Sequence, residues 1–75
     1  MPHHLVFVTI KAGGTMIHAY PTFTDAVDSF QTRDPEDKVH TVSEARPVST
    51  NANKVWYAVV QTRQVGTIYE FNLIA

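Results

Sequence analysis

Two glycines at the centre of residues 6–20 constrain the fold of this chain more than any other feature. Residues 5–11 and 15–20, on the two sides of Gly13 and Gly14, are rich in β-branched and aromatic side chains. This composition around a glycine pair is typical of two strands joined by a tight turn. Glycine adopts the positive φ angles that such a turn requires. We therefore predict an antiparallel hairpin of residues 5–11 and 15–20 with a two-residue turn, in which Phe7 lies opposite Tyr20.

Both faces of this hairpin carry apolar residues, although a half-buried hairpin normally has one polar face. One face is aliphatic and carries Val6, Val8, Ile10, Ile17 and Ala19. The other face is mixed and carries Leu5, Phe7, Thr9, Lys11, Met16, His18 and Tyr20. We expect the aliphatic face to form the core, because aliphatic residues are among those most often buried. Two alternatives stay open: the core lies on the mixed face, or a homodimer buries both faces.

One short helix follows the hairpin. Four apolar residues recur at the three- and four-residue spacing of a single helical stripe. They are Phe23, Ala26, Val27 and Phe30. Thr22 is a suitable N-cap, and Asp34 before Pro35 favours a stop because the residue before proline disfavours the α conformation. The pattern predicts a helix over residues 22–32.

The second half of the chain predicts three more strands. Residues 38–46 alternate weakly and carry charges, which is typical of an edge strand. Residues 54–63 and 68–74 form a second hairpin with Val65–Gly66 at its tip, which places Val60 opposite Phe71. One face of this hairpin carries Trp56, Ala58, Val60, Tyr69, Phe71 and Leu73. The other carries Tyr57, Val59, Gln61, Arg63, Ile68, Glu70, Asn72 and Ile74.

The predicted order of elements is ββαβββ. It gives an α+β fold class, with an antiparallel sheet of about five strands and one short helix on one face. Residues 1–75 are few enough to form a single small domain. One short helix cannot cover five strands, so we expect part of the second face to be wet or covered by something else.

Composition argues against several functions. Six basic and seven acidic residues give a formal charge of −1, so the basic footprint of a nucleic-acid-binding protein is lacking. The chain has no cysteine, which excludes disulfides and permits a reducing compartment such as the cytoplasm. No apolar run approaches the ~20 residues of a membrane span, so we expect no membrane partner.

Catalytic and metal-binding patterns are also lacking. The histidines are His3, His4, His18 and His40, and none of their spacings matches a zinc motif. No serine lies in a nucleophile elbow, and the glycine pair is not followed directly by a phosphate-binding helix. We therefore expect no metal, no cofactor and no enzymatic activity.

Protein contact is the function that the pattern favours. If the mixed face points outward, its aromatic and thioether side chains form a binding surface of the kind found at interface centres. The expected binding residues are Leu5, Phe7, Met16, His18 and Tyr20. A second binding face, or a homodimer interface, is expected at Tyr57, Val59, Ile68 and Ile74, with the last strand as a free edge. The alternatives are a homo-oligomeric structural subunit and a sheet that binds single-stranded nucleic acid.

The stretch IHAYPTFTDAVDSF, followed by VHTVSEARPV, resembles the strand–helix–strand layout of small bacteriophage-encoded inhibitors such as anti-CRISPR proteins. The similarity covers residues 17–48. It implies an activity by binding, namely the blockade of a host enzyme or defence complex in the cytoplasm of an infected cell. No catalytic residue is carried over by it, and the hairpin of residues 55–74 departs from the layout of the phage inhibitor of bacterial RNA polymerase.

Overall fold

The computed structural model describes residues 3–14, 17–31, 38–43 and 52–74, with only the backbone described at His3, Leu73 and Ile74. Its elements are β1 (His3–Lys11), β2 (Ile17–Tyr20), α1 (Phe23–Asp28), β3 (Val39–Ser43), β4 (Lys54–Val60) and β5 (Arg63–Ile74). The predicted order ββαβββ and the α+β class are confirmed.

The five strands form one antiparallel sheet in the order β2-β1-β5-β4-β3. The two longest strands, β1 and β5, pair from His3 opposite Ile74 to Lys11 opposite Gly66. Because β4 pairs with the other side of β5, the prediction that the C-terminal strand is an edge is wrong. The edges are β2 and β3, and the predicted edge position of β3 is confirmed. Its predicted extension over residues 44–46 lies outside the described residues.

The register of the first hairpin is as predicted, from Phe7 opposite Tyr20 to Ile10 opposite Ile17. The turn is different. The Gly14 N–H donates to the Lys11 carbonyl at 3.0 Å, which closes a turn with Gly13 at its second central position. Gly13 has a φ of 74°, and a positive φ at that position is the type II pattern.

The register of the second hairpin differs from the prediction. The turn lies at Gln61 and Thr62, so Val60 faces Arg63 rather than Phe71. A β-bulge at Ala58/Val59 shifts the register. Beyond the bulge, the shift from the predicted register is an odd number of residues, so the side chains of residues 68–72 lie on the face opposite to the one predicted. Full-length pairing of β5 with β1 outweighs the local preference for a glycine turn.

The helix begins as predicted and ends earlier. The Asp25 N–H donates to the Thr22 side chain at 3.1 Å, which confirms Thr22 as the N-cap. Beyond Asp28 the chain continues through two bonds of three-residue spacing, from the Phe30 N–H to the Val27 carbonyl and from the Gln31 N–H to the Asp28 carbonyl. These tighter turns keep Phe30 on the apolar stripe. The predicted stop at residues 34–35 lies outside the described residues.

Helix α1 packs on the mixed face of the first hairpin, which we call the covered face. The buried cluster there is Phe7, Ala26, Phe30, Ala58 and Ile68, and the residues packed against it are Tyr20, Phe23, Val27, Val39, Trp56 and Val65. The Phe23 ring joins the two sheet aromatics, with its centroid 5.8 Å from that of Phe7 and 4.6 Å from that of Trp56. The prediction that the aliphatic face forms the core is therefore wrong.

The physical reason for this choice of face is room for the helix. Two small residues, Ala58 and Gly66, lie opposite each other on the covered face of β4 and β5, and Thr9 lies on the same face of β1, opposite Ile68. A Cβ on Gly66 would lie 2.7 Å from Cζ of Phe30, so the Phe30 ring occupies the space that a side chain would fill. The aliphatic face offers no such hollow, because valine and isoleucine occupy its central β1 positions.

Candidate functional site

The opposite face of the sheet has no helix over it in the described part of the chain. Strand alternation and pairing place on it Val6, Val8, Ile10, Ile17, Ala19, Val42, Tyr57, Val59, Thr67, Tyr69 and Phe71. We call these residues the open face. Each of them is half-buried or exposed. Val55 lies on the same side but is only 3% exposed, so it is not part of this surface.

The open face is built from cross-strand apolar pairs. In the centre, Val6 lies opposite Phe71 and Val8 lies opposite Tyr69. Such pairs stabilise a sheet, and β-branched and aromatic residues suit a pleated, half-buried surface. The same side chains that favour strand formation therefore also make this surface apolar.

Aromatic residues mark the middle of the open face. Tyr69 and Phe71 are two residues apart on the central strand, and their rings stack with centroids 6.3 Å apart and an interplanar angle of 26°. Tyr57 lies on the neighbouring strand β4, opposite Thr67. Aromatic side chains are enriched at the centres of protein interfaces, which makes this cluster the candidate anchor.

The open face extends to both edges of the sheet. Ile17 on β2 is 65% exposed and Val42 on β3 is 53% exposed. Among the described residues, three large apolar side chains are exposed, and Ile17 and Val42 are two of them. The third, Leu5, is 43% exposed and lies on the covered face, opposite Asn72.

The open face is also free of full charges. In the five strands as described, the charged residues Lys11, Lys54, Arg63 and Glu70 all lie on the covered face. The polar residues on the open side of these strands are His4, His40, Gln64 and Thr67. The exposed Lys38 directly precedes β3, outside the strand. The open face is thus apolar and carries no charged side chain from the described strands.

The first predicted binding set does not form an outward patch. Phe7 is 6% exposed and belongs to the buried cluster, and Tyr20 packs against that cluster. Leu5 and His18 are exposed, and the His18 ring lies 6.5 Å from the ring of Tyr20. Met16 lies outside the described residues. The outward assignment is wrong for Phe7 and Tyr20, because α1 covers the part of the face on which they lie, whereas Leu5 and His18 are exposed as predicted.

The second predicted set is divided by the observed register. Tyr57 and Val59 lie on the open face, as the expected second face requires. Ile68 is fully buried in the core, so its predicted exposure is wrong. The side chain of Ile74 is not among those described. The prediction missed Tyr69 and Phe71, which it placed on the face of Trp56.

Catalytic features are few in the described residues. No group of three or more His, Asp or Glu side chains comes together there that could hold a metal ion. A hollow of about 280 Å³ lies at the β4–β5 turn, lined by Val60, Gln61, Thr62 and Arg63, below the roughly 300–1,000 Å³ typical of ligand pockets. No helix among the described residues is long and apolar enough to cross a membrane.

Comparison with known proteins yields no relative. No family model, no curated protein and no solved structure matches this chain. The candidate site is thus defined by the geometry of this chain's own residues.

Proposed function

We propose that this protein is a protein-interaction module that acts by contact rather than by catalysis, through the open face. The observation that carries the proposal is an apolar sheet face with an aromatic centre. Among the described residues, no charged side chain of a strand lies on this face and no helix covers it. Contiguous exposed apolar surfaces of more than a few hundred Å² are uncommon on monomers and mark interaction sites.

In its finer form, the proposal is an inhibitor encoded by a phage or mobile element that occludes a surface of a host enzyme or defence complex. The sequence of residues 17–48 supports it, because its predicted strand–helix–strand layout resembles that of small phage-encoded inhibitors. Occlusion needs a surface and neither an enclosed pocket nor a cofactor. The lack of cysteine suits the reducing cytoplasm of a host cell, which is where we place this activity.

A nucleic-acid-binding sheet has less support. Affinity for nucleic acid depends mainly on Lys and Arg contacts with phosphates. The strands bring no such side chain to the open face among the described residues. The stacked Tyr69 and Phe71 rings could receive a base, but a stack without cations gives little affinity.

The test is affinity capture from bacterial lysate, with mass spectrometry of the retained proteins, using matched variants. The double variant Ile17→Lys, Val42→Lys places a charge at each edge of the open face, at side chains that are already more than half exposed. The control is Leu5→Lys, the same kind of change at an exposed apolar residue on the covered face.

We expect the wild-type chain and the Leu5→Lys control to retain the same protein, and the double variant to lose it. Circular dichroism confirms that all three are folded. Equal capture by the double variant and the control would remove the open face as the binding surface.

A further inference from the structure

We infer that the open face is covered by a second copy of this chain, packed sheet against sheet in a symmetric homodimer. This inference rests on the proposed function, because it names the partner that the same surface takes when no foreign protein is bound. It differs from dimerisation through the last strand, which is ruled out because β5 is paired on both sides.

Charge is the first argument. In a two-fold dimer each patch meets itself, so every charged residue near the axis meets a like charge, and such contacts cost several kcal/mol. The open face avoids this cost, because Lys11, Lys54, Arg63 and Glu70 all lie on the covered face. An uncharged face therefore meets no like charge when it packs against its own copy.

Exposure is the second argument. Ile17 and Val42, at the two edges of the open face, are 65% and 53% exposed, and the other residues of the open face are half-buried or exposed. Contact with a second copy removes this apolar surface from water, which favours association.

Layering is the third argument. Stable domains cover the apolar face of each sheet with another layer, and α1 covers only one face here. Two open faces in contact give the order helix, sheet, sheet, helix. Stacked sheets lie about 10 Å apart with strands within about 30° of each other. The Tyr69–Phe71 stack lies on the central strand, so this packing places it in the middle of the interface.

The first measurement is the mass of the wild-type chain by light scattering over a concentration series. We expect the mass to rise from 8.4 kDa to twice that value. The variant Ile17→Lys, Val42→Lys stays at the monomer mass, because four lysines would meet in one interface, whereas Leu5→Lys follows the wild type. A wild-type chain that remains a monomer at millimolar concentration overturns the inference, because its dimer dissociation constant then lies above about 1 mM.

The second measurement locates the interface without a disruptive substitution. Because the chain has no cysteine, each of the single variants Ile17→Cys, Val42→Cys and Leu5→Cys has one thiol, whose reaction with a maleimide can be timed. We expect the two open-face thiols to react about tenfold more slowly once roughly nine chains in ten are dimeric. The Leu5→Cys thiol reacts at the same rate at every concentration. Equal slowing at all three positions, or slowing at Leu5→Cys alone, overturns the inference.

The two tests separate this inference from the proposed function. A monomeric wild-type chain whose capture of a foreign protein is abolished by Ile17→Lys, Val42→Lys overturns the homodimer and leaves the open face as a protein-binding surface. A dimer with unprotected open-face thiols overturns the inference and moves self-association elsewhere. Neither result can be confused with a failure to fold, since circular dichroism is recorded for each variant.

Discussion

Gly66 is the residue on which the packing of the helix depends most directly. It lies on the central strand β5, under the ring of Phe30 and beside the Ile10 backbone. The absence of a side chain at this one position lets Phe30, in the turn that follows the six-residue helix, pack directly on the sheet. The glycine is thus used for close approach and not for a turn.

We expect Gly66→Ala to lower the free energy of unfolding by about 1–3 kcal/mol, the usual cost of overpacking a core. The added Cβ would lie 2.7 Å from the Ile10 carbonyl oxygen, and backbone cannot move away cheaply. Urea unfolding followed by tryptophan fluorescence measures the change.

Gly14→Ala is the matched control. A Cβ at Gly14 would meet the Lys11 carbonyl oxygen at 3.4 Å, which is an ordinary contact, so we expect a change within about 0.5 kcal/mol. Equal losses at the two glycines would contradict the close approach of Phe30 to the sheet.

At the scale of elements, α1 is too short to be stable alone, since isolated helices under about 12 residues are marginal in water. Its N-cap and its apolar stripe therefore stabilise it in two different ways. The stripe holds the helix on the sheet, and the Thr22 side chain accepts the Asp25 N–H.

We expect Thr22→Ala to cost about 1 kcal/mol of stability, the typical value for loss of a side-chain N-cap. Thermal unfolding measures it. The control is Thr24→Ala in the same turn, where the side chain is exposed and alanine is the better helix former. A Thr24→Ala variant that loses as much stability as Thr22→Ala would show that the cap contributes nothing specific.

The elements that could be predicted from sequence are those whose signals are local. The glycine pair and the alternation around it fix the first hairpin's register, and the spacing of Phe23 to Phe30 fixes the helical stripe. The second hairpin could not be predicted in this way. Its turn places Gln61 at a φ of 56°, although glutamine gives no turn signal, whereas Val65–Gly66 gives one.

The choice of covered face is a tertiary effect. Phe7, Phe23 and Trp56 are far apart in sequence, and their ring contacts exist only once β4 and α1 are in place. The sequence pattern groups the open-face residues of β1 and β2 correctly, but it predicts that they form the core and that the mixed face points outward. The pattern predicts the wrong side for Tyr69 and Phe71, because a register error of an odd number of residues exchanges the two faces.

At the scale of the whole molecule, the unfolding temperature reports on the homodimer. Anything that binds the folded chain alone stabilises it by mass action, so we expect the melting temperature of the wild type to rise with protein concentration. The Ile17→Lys, Val42→Lys variant should melt at one temperature throughout, because its copies do not associate. A wild-type melting temperature independent of concentration would contradict the homodimer.

The central position of β5 has a consequence for the way the chain is made. Strand β5 is the last of the described strands in sequence, and it separates β1 from β4 in the sheet. While the chain emerges from the ribosome, the β1–β2 and β3–β4 hairpins are both present before the strand that joins them. Isolated hairpins are marginally stable in water, so the nascent chain stays unfolded until β5 has left the exit tunnel.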